Sequence, residues 1–409
     1  MNCRHCQTFL QYKFLDLGFA PHSNGYRAEQ QLATPEVHFP LRLFVCDRCW
    51  LVQTEDYSSS HDLFTSDYAY FSSVSKSWLD HAARYATEIT RRLALSESSL
   101  VLEIASNDGY LLKNFVYAGI PCLGIEPTAS TAAVAQNLGV QTVQEFFGEL
   151  FAEKLAASGQ QADLIVGNNV FAHVPDINDF ARGIRRALKP EGTVTLEFPH
   201  LLNLLHLNQF DTVYHEHFSY LSLLSAQQIL KAAGLRIYDV ERLPTHGGSL
   251  RIYGCHSAAN QRNCESVEIV LQEEAAAGLR DIETYLSFQA RVAEVKNGFV
   301  QFLLDQRRQN NQVVGYGAAA KGVTLLNYAG VKSDLLPFVC DAAPSKQGKF
   351  LPGCHIPILD PAKLRAAKPT FVVVFPWNIA DEISAQLAYI REWNGKFVTA
   401  IPHIRIFES

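Results

Sequence analysis

The sequence predicts an α/β protein in three parts: a small N-terminal metal-bound module, a central doubly wound sheet and a second Rossmann-like α/β unit. Three observations predict it. Two C-x₂-C pairs, Cys3–Cys6 and Cys46–Cys49, stand near the start. From Leu100 short apolar runs alternate with helix-length amphipathic segments, the rhythm of a parallel sheet covered by helices. After a long helical stretch the same rhythm restarts at Gln312.

The N-terminal segment, to about residue 60, is rich in turn formers and aromatics, with Gly18, Pro21, Gly25, Pro35 and Pro40. A core that small hardly stands alone. In Cys3-Arg-His-Cys6 and Cys46-Asp-Arg-Cys49 the two-residue spacing lets both thiolates of a knuckle face one tetrahedral ion. Two knuckles make a closed four-sulfur zinc site with no open coordination position, so the metal is expected to be structural. His5 lies between two better ligands and is expected to be exposed. The other five of the nine cysteines are scattered singly and read as small core residues.

Next comes a helical stretch, roughly Ser75 to Leu95, with Trp78, Ala82, Tyr85, Ile89 and Leu93 on one apolar face. Expected strands of the central unit are Val101–Ile104, Cys122–Ile125, Asp163–Gly167 and Thr193–Phe198. The alternation breaks after Pro199 for a histidine-rich stretch through Tyr220, then resumes with a helix from about Ser225 to Ala233. A long irregular segment inside a compact unit points to function. A helical region spans about Ser266 to Arg308. Strands of the last unit are expected at Gln312–Gly317, Phe338–Cys340, Phe371–Phe375 and Phe397–Ile401.

Composition excludes several classes. With 48% hydrophobic and 19% charged residues, the 409-residue chain is that of an ordinary globular enzyme. A balance of 35 basic against 41 acidic residues argues against a nucleic-acid-wrapping protein. No apolar run approaches the roughly 20 residues of a membrane span, and MNCRHCQ offers no hydrophobic signal core, so no membrane partner and a cytoplasmic address are expected.

Val101-Leu-Glu-Ile-Ala-Ser-Asn-Asp-Gly-Tyr-Leu-Leu112 reads as buried strand, turn and helix start. It resembles the cofactor loop of class I methyltransferases, where an acidic residue closes the first strand and a glycine-containing turn follows. Glu103 is that acid, suited to the aminoacyl end of S-adenosylmethionine. Asn107 lies in the turn, Gly109 permits close backbone approach, and Ala105 stands where the generic pattern has its first glycine. The second strand ends in Glu126-Pro127, whose carboxylate suits the hydroxyls of an adenosine ribose. Another strand ends in Asn168-Asn169, where open α/β sheets gather ligand contacts. A nicotinamide enzyme is the rival reading. This turn lacks G-x-G-x-x-G, although Gly315-Tyr-Gly-Ala-Ala-Ala-Lys-Gly322 followed by Asp341 offers a weak match.

Asp211-Thr-Val-Tyr-His-Glu-His-Phe-Ser-Tyr220 packs two histidines, a glutamate and two tyrosines into one decapeptide. His215 and His217 lack H-E-x-x-H spacing, so general acid–base work fits better than metal binding. With the cysteine pairs, EIASNDGYLL, NNVFAHV, YHEHFSYLS and GYGAAAKG in that order, the chain resembles the sugar C-methyltransferase family, in particular the TDP-sugar C-3′-methyltransferases of tetronitrose and kijanose biosynthesis. The resemblance covers essentially the whole chain. It implies a zinc-binding domain over 1–65, a class I methyltransferase domain over 66–245 and a C-terminal α/β domain over 246–409 that helps bind the sugar nucleotide.

The resemblance puts the catalytic base on His217 and further active-site roles on Tyr214, Glu216, His173 and Tyr68. Residue chemistry adds Arg251, Lys321 and the Gly315–Gly317 turn as phosphate contacts. The implied cofactors are S-adenosylmethionine and structural zinc, and the implied partner is a TDP-4-keto-deoxyhexose, methylated at C3 through an enolate. Methylation at C5 and a zinc-module nucleic-acid methyltransferase are the alternatives. No nucleic acid is expected as partner, and a monomer is expected.

Overall fold

A computed structural model describes residues 1–57 and 71–407; Tyr68 lies outside the described residues. Three sheets account for the strands. The central sheet has seven, in the order Leu235–Leu243, Ser249–His256, Leu188–Pro199, Ala162–Asn168, Val101–Ile104, Cys122–Ile125 and Thr142–Val143. Its five last-named strands pair in parallel, whereas Ser249–His256 runs antiparallel to both of its neighbours. The fully buried Val101–Ile104 and the apolar stretch of Ala162–Asn168 show why: a strand covered on both faces by helices carries a continuous apolar run.

The last sheet has six strands, ordered Ile358–Leu359, Val339–Cys340, Val313–Tyr316, Phe371–Val374, Lys396–Thr399 and Arg405–Phe407. All pair in parallel except the final one. Ser249–His256, from beyond residue 245, is hydrogen-bonded inside the central sheet, between Leu235–Leu243 and Leu188–Pro199.

The helix before the central sheet runs Lys76–Leu93. Ser75 caps it by accepting from the Trp78 amide, and it buries Ala82, Tyr85, Ala86 and Ile89. Beyond the central unit, the expected helical region resolves into Glu265–Ala276, Ile282–Leu286 and Phe288–Arg308.

The N-terminal sheet is antiparallel: Tyr12–Ala20, Phe39–Val45, Val52–Thr54 and then Ser219–Tyr220. Its fourth strand thus comes from the histidine-rich stretch, with Val52 opposite Tyr220 and Gln53 opposite Ser219. One apolar core joins this sheet to Phe210 and Val213, to the helix Phe288–Arg308 and to the last sheet. Phe14 stacks on Phe288 at 5.0 Å and meets Tyr285 edge-on at 5.6 Å. The two cysteine knuckles instead pack into the core of the central unit.

The histidine-rich stretch leads into the helix Leu223–Ala232 through a cap drawn from a distant element. Glu274, on Glu265–Ala276 and 1% exposed, accepts from the Leu223 and Leu224 amides at 2.5 and 3.0 Å and from His200 Nε2 at 2.7 Å. A carboxylate at a helix N-terminus satisfies otherwise orphaned amides and complements the helix dipole. Glu274→Ala leaves those donors buried and unpaired, so the urea midpoint should fall, by about 2–4 kcal/mol of stability. A midpoint unchanged from wild type contradicts this capping role.

Candidate functional site

The two cysteine knuckles are built alike. The Gln7 amide bonds to the Cys3 carbonyl and the Trp50 amide to the Cys46 carbonyl, both at 3.0 Å. Gln7 and Trp50 hold left-handed φ of 62° and 59°, which folds each chain back over its sulfurs. The four sulfurs lie within 4.8 Å of one another, with Cys3–Cys49 at 3.4 Å and Cys6–Cys46 at 3.5 Å. A tetrahedral zinc with bonds of about 2.3 Å needs sulfurs about 3.8 Å apart, so the cluster fits the ion. His5 is half-buried rather than exposed. Its Nδ1 lies 2.8 Å from Asn178 Oδ1, docking the first knuckle on the central unit.

The expected cofactor residues gather at the C-terminal edge of the central sheet. Ala105, Asn107 and Gly109 all take left-handed φ, at 57°, 48° and 76°. A Cβ on Gly109 would sit 3.1 Å from the Ala135 backbone, so this position requires glycine for packing as well as conformation. Glu126, 4% exposed, accepts from the Asn107 amide at 2.8 Å and the Thr128 amide at 2.9 Å, tying the loop to the next strand end; Pro127 lies between. Glu103 is buried, and burial raises its carboxyl well above the usual range against a hydrogen bond from Tyr110. Asn168 Nδ2 reaches Tyr110 Oη at 3.4 Å, and Asn169, at φ 53°, meets His246 Nε2 at 2.9 Å.

The histidine-rich segment distributes its side chains in three directions. His215 turns to the N-terminal sheet, with Nε2 3.2 Å from the Pro40 carbonyl and its ring against His22 and Phe39. Glu216 accepts from Asn24 Nδ2 at 2.7 Å. His217 turns to the crevice. Its Nδ1 lies 2.9 Å from the Thr212 carbonyl, an acceptor, so Nδ1 carries the proton and Nε2 keeps its lone pair. Around that ring stand Tyr214 at 4.0 Å, His173 at 4.6 Å and Tyr220 at 5.8 Å. Burial drives His217 well below the usual histidine range, and it holds His173 at about 4. Beside His217 is a cavity of about 20 Å³, lined by Ala172, Gln209, Thr212 and Tyr220.

The last unit brings Lys321 near these rings. Lys321, in the first turn of the helix Ala320–Ala329, donates to Asn378 Oδ1 at 2.7 Å and lies 4.2 Å from the Trp377 ring centre. Burial lowers its ammonium to about 8, opposed by Asp211. Burial also raises Asp211 to about 6, and its Oδ2 accepts from the Trp377 indole at 2.7 Å. His173, Tyr214, Lys321, Asn168, Asn169 and His246 all keep partial exposure amid buried neighbours.

Three family models match in order: a zinc binding domain over residues 3–64, a methyltransferase domain over 78–240 and a C-methyltransferase C-terminal domain over 244–402. C-methyltransferase NovU of Streptomyces niveus is 33% identical over 407 residues, covering 100% of this chain and 97% of NovU. The chain belongs to this C-methyltransferase family. Solved structures include 1,6-didemethyltoxoflavin-N1-methyltransferase of Burkholderia thailandensis, 18% identical over 51% of this chain and 96% of that one, at a TM-score of 0.38. The glycopeptide N-methyltransferase MtfA is 14% identical over 43% and 96%, at 0.34.

In this S-adenosylmethionine-dependent C-methyltransferase, one expected phosphate contact, Arg251, turns out to serve the scaffold, and the Gly315–Gly317 turn is shaped by close packing. Arg251 is 2% exposed, donating to Glu197 at 2.8 Å and Glu241 at 3.2 Å with its guanidinium 4.4 Å from the Tyr85 ring centre. A guanidinium enclosed and paired in this way is not available to a diphosphate. A Cβ on Gly315 would sit 2.7 Å from the Phe375 ring, and one on Gly317 would sit 2.4 Å from Pro376 Cδ. Packing therefore demands both glycines, and Asp341, through 2.6 Å to the Ala318 amide, caps the turn itself.

Sequence reasoning passed over His246, Trp377 and Asn24. The Thr-His-Gly-Gly run at 245–248 is a detectable signal, since paired glycines flag unusual backbone. Trp377 and Asn24 carry no local signal.

Burial holds His173, His215 and His246 near a pKa of about 4, below the ordinary unfolded value of about 6.5. Between those values the unfolded chain binds more protons. Their stabilisation is thus complete above about pH 6.5 and is lost as pH falls towards 4. Urea midpoints should decline from about pH 7 to about pH 5. His215→Gln, which lies off the crevice, should lessen that slope; equal slopes in both proteins contradict it.

Proposed function

We propose that the enzyme transfers a methyl group to C3 of a TDP-linked 4-keto-deoxyhexose, with His217 as the general base. The observation that carries this reading is the fixed tautomer of His217. Its Nδ1 proton is committed to the Thr212 carbonyl at 2.9 Å, and burial keeps the ring neutral. Nε2 is therefore a proton acceptor throughout the physiological pH range.

A carbon-bound hydrogen is acidic enough for such a base only beside a carbonyl. His217 takes the C3 proton, and the bond pair moves onto the C4 oxygen as an enolate. S-adenosylmethionine, held along the edge that carries Glu103 and Glu126, would supply an electrophilic methyl group to C3, its carbon–sulfur pair staying on sulfur. Tyr214 and His173, packed around His217, hold the sugar, a positioned donor to the developing oxyanion being worth about 2.7–4 kcal/mol. Glu216, anchored by Asn24, fixes the turn that presents both Tyr214 and His217. Lys321 contributes positive charge to the substrate side.

On the cofactor side, Glu126 spends two acceptor sites on backbone amides and retains others for the ribose hydroxyls. Glu103, Ala105, Asn107, Gly109, Pro127, Asn168 and Asn169 form the rest of that edge. NovU, a C-methyltransferase matched over nearly its full length, supports carbon as the acceptor atom.

His217→Asn should keep the fold and bind both ligands while turnover falls by about 10² or more. Mass spectrometry in deuterated water should show wild-type protein exchanging the C3 hydrogen of the keto sugar and the variant failing to do so. Near-normal turnover by His217→Asn would falsify the assignment of the base.

A further inference from the structure

His246 has no role in the mechanism above, yet the fold bends to present it. It sits at a left-handed φ of 53°, followed by Gly247 at 88° and Gly248 at 109°. Both glycines are demanded by close approach. A Cβ on Gly247 would lie 2.3 Å from the Trp377 ring, and one on Gly248 would lie 2.2 Å from Asn203 Nδ2. A non-glycine residue held left-handed persists only where its surroundings over-determine it, and such residues cluster at functional sites.

The surroundings here are a buried charged network. Thr245 Oγ1 donates to Glu197 Oε1 at 2.8 Å, and Ser249 Oγ donates to the Thr245 carbonyl at 3.0 Å. Glu197, wholly buried, is in turn held by Arg251 at 2.8 Å and His81 at 2.9 Å. Arg251 thus buttresses the loop that carries His246. The imidazole lies close enough to His173, His217 and Lys321 for their electrostatic influence to reach it. Asn169 Nδ2, at the cofactor edge, lies 2.9 Å from its Nε2, and Trp78 meets it edge-on at 5.2 Å. Its loop packs on Trp377, which also faces Lys321 on the substrate side. With the Asn169 amide donating, Nε2 accepts and Nδ1 carries a proton available for donation.

We propose that His246 is a further catalytic residue, whose Nδ1–H donates a hydrogen bond to the C4 oxygen as the enolate forms. The role rests on the 4-keto-sugar reading above. A neutral imidazole suits it. Burial and the nearby Lys321 ammonium hold His246 near a pKa of about 4, so it is an uncharged donor, matched to an oxygen whose charge develops only along the reaction. Preorganisation by the Arg251–Glu197–Thr245 chain means that nothing need reorganise when that charge appears.

The test uses the full-length zinc-loaded protein, S-adenosylmethionine and a TDP-4-keto-deoxyhexose. His246→Gly relieves the left-handed residue and His246→Asn tolerates it, so both variants should fold, the glycine form with an equal or higher urea midpoint. C3 hydrogen exchange into deuterated water, and methylation with it, should fall by about 10²–10³ in each variant, with cofactor affinity retained. Added imidazole should restore part of the exchange in His246→Gly. Wild-type exchange rates in a folded variant overturn the role. So does loss of cofactor affinity with exchange intact, which would make His246 a cofactor contact. A wild-type enzyme inert towards every keto sugar instead sinks the substrate reading, and the enolate role with it.

Discussion

The structure depends on one constraint: the segment from Gln209 to Leu224 belongs to no single unit and is held by all three. Among the described residues it carries little regular structure of its own, a short 3₁₀ turn at Phe210–Thr212 and the two-residue strand Ser219–Tyr220. The N-terminal module supplies a strand partner at Val52–Gln53, the Asn24 amide for Glu216 and the Pro40 carbonyl opposite His215. The last unit supplies Thr324, donating to the Val213 carbonyl at 2.8 Å, and the Trp377 indole for Asp211. Glu274 caps the helix into which the segment runs. A buried irregular chain needs its polar groups met from elsewhere, and these contacts meet many of them.

This arrangement explains the electrostatics of the crevice. Several imidazoles meet where few counter-ions reach, so burial is the first cause of every downward histidine shift there. The outcome is a set of rings kept neutral at physiological pH. Charge is kept one step away. Lys321 faces Asp211 through a Trp377 that touches both, and Glu197 is held near a pKa of about 2 by His81 and Arg251 against its own burial. The zinc module, far from being an appendage, forms one side of the same scaffold.

Much of this was legible in the sequence because it is written locally. Continuous apolar runs such as Val101–Ile104 and Phe371–Val374 announce buried parallel strands, and doubled C-x₂-C spacing announces the four-sulfur cluster. Even Ala105 and Asn107 make sense once their left-handed backbone is known, since Asn tolerates that region better than most residues and each stands in a turn that glycine would suit. What stayed hidden is long-range. Nothing near Arg251 tells that Glu197 and Tyr85 enclose it, and nothing near Gly315 tells that Phe375 presses on it. Ser249–His256 was hard to place because an antiparallel strand inserted between earlier ones leaves no mark on its own spacing.

The claim that the zinc module holds the histidine-rich segment in place is tested most directly by amide hydrogen exchange on Cys46→Ser beside wild type. Loss of one ligand should release the metal and loosen the strand Val52–Thr54, which among the described residues pairs with Ser219–Tyr220 and donates to the Phe218 carbonyl. Peptides covering residues 213–222 should therefore lose protection together with those of the N-terminal sheet, while Val101–Ile104 keeps its own. Protection of 213–222 that survives while the N-terminal sheet opens would contradict the account.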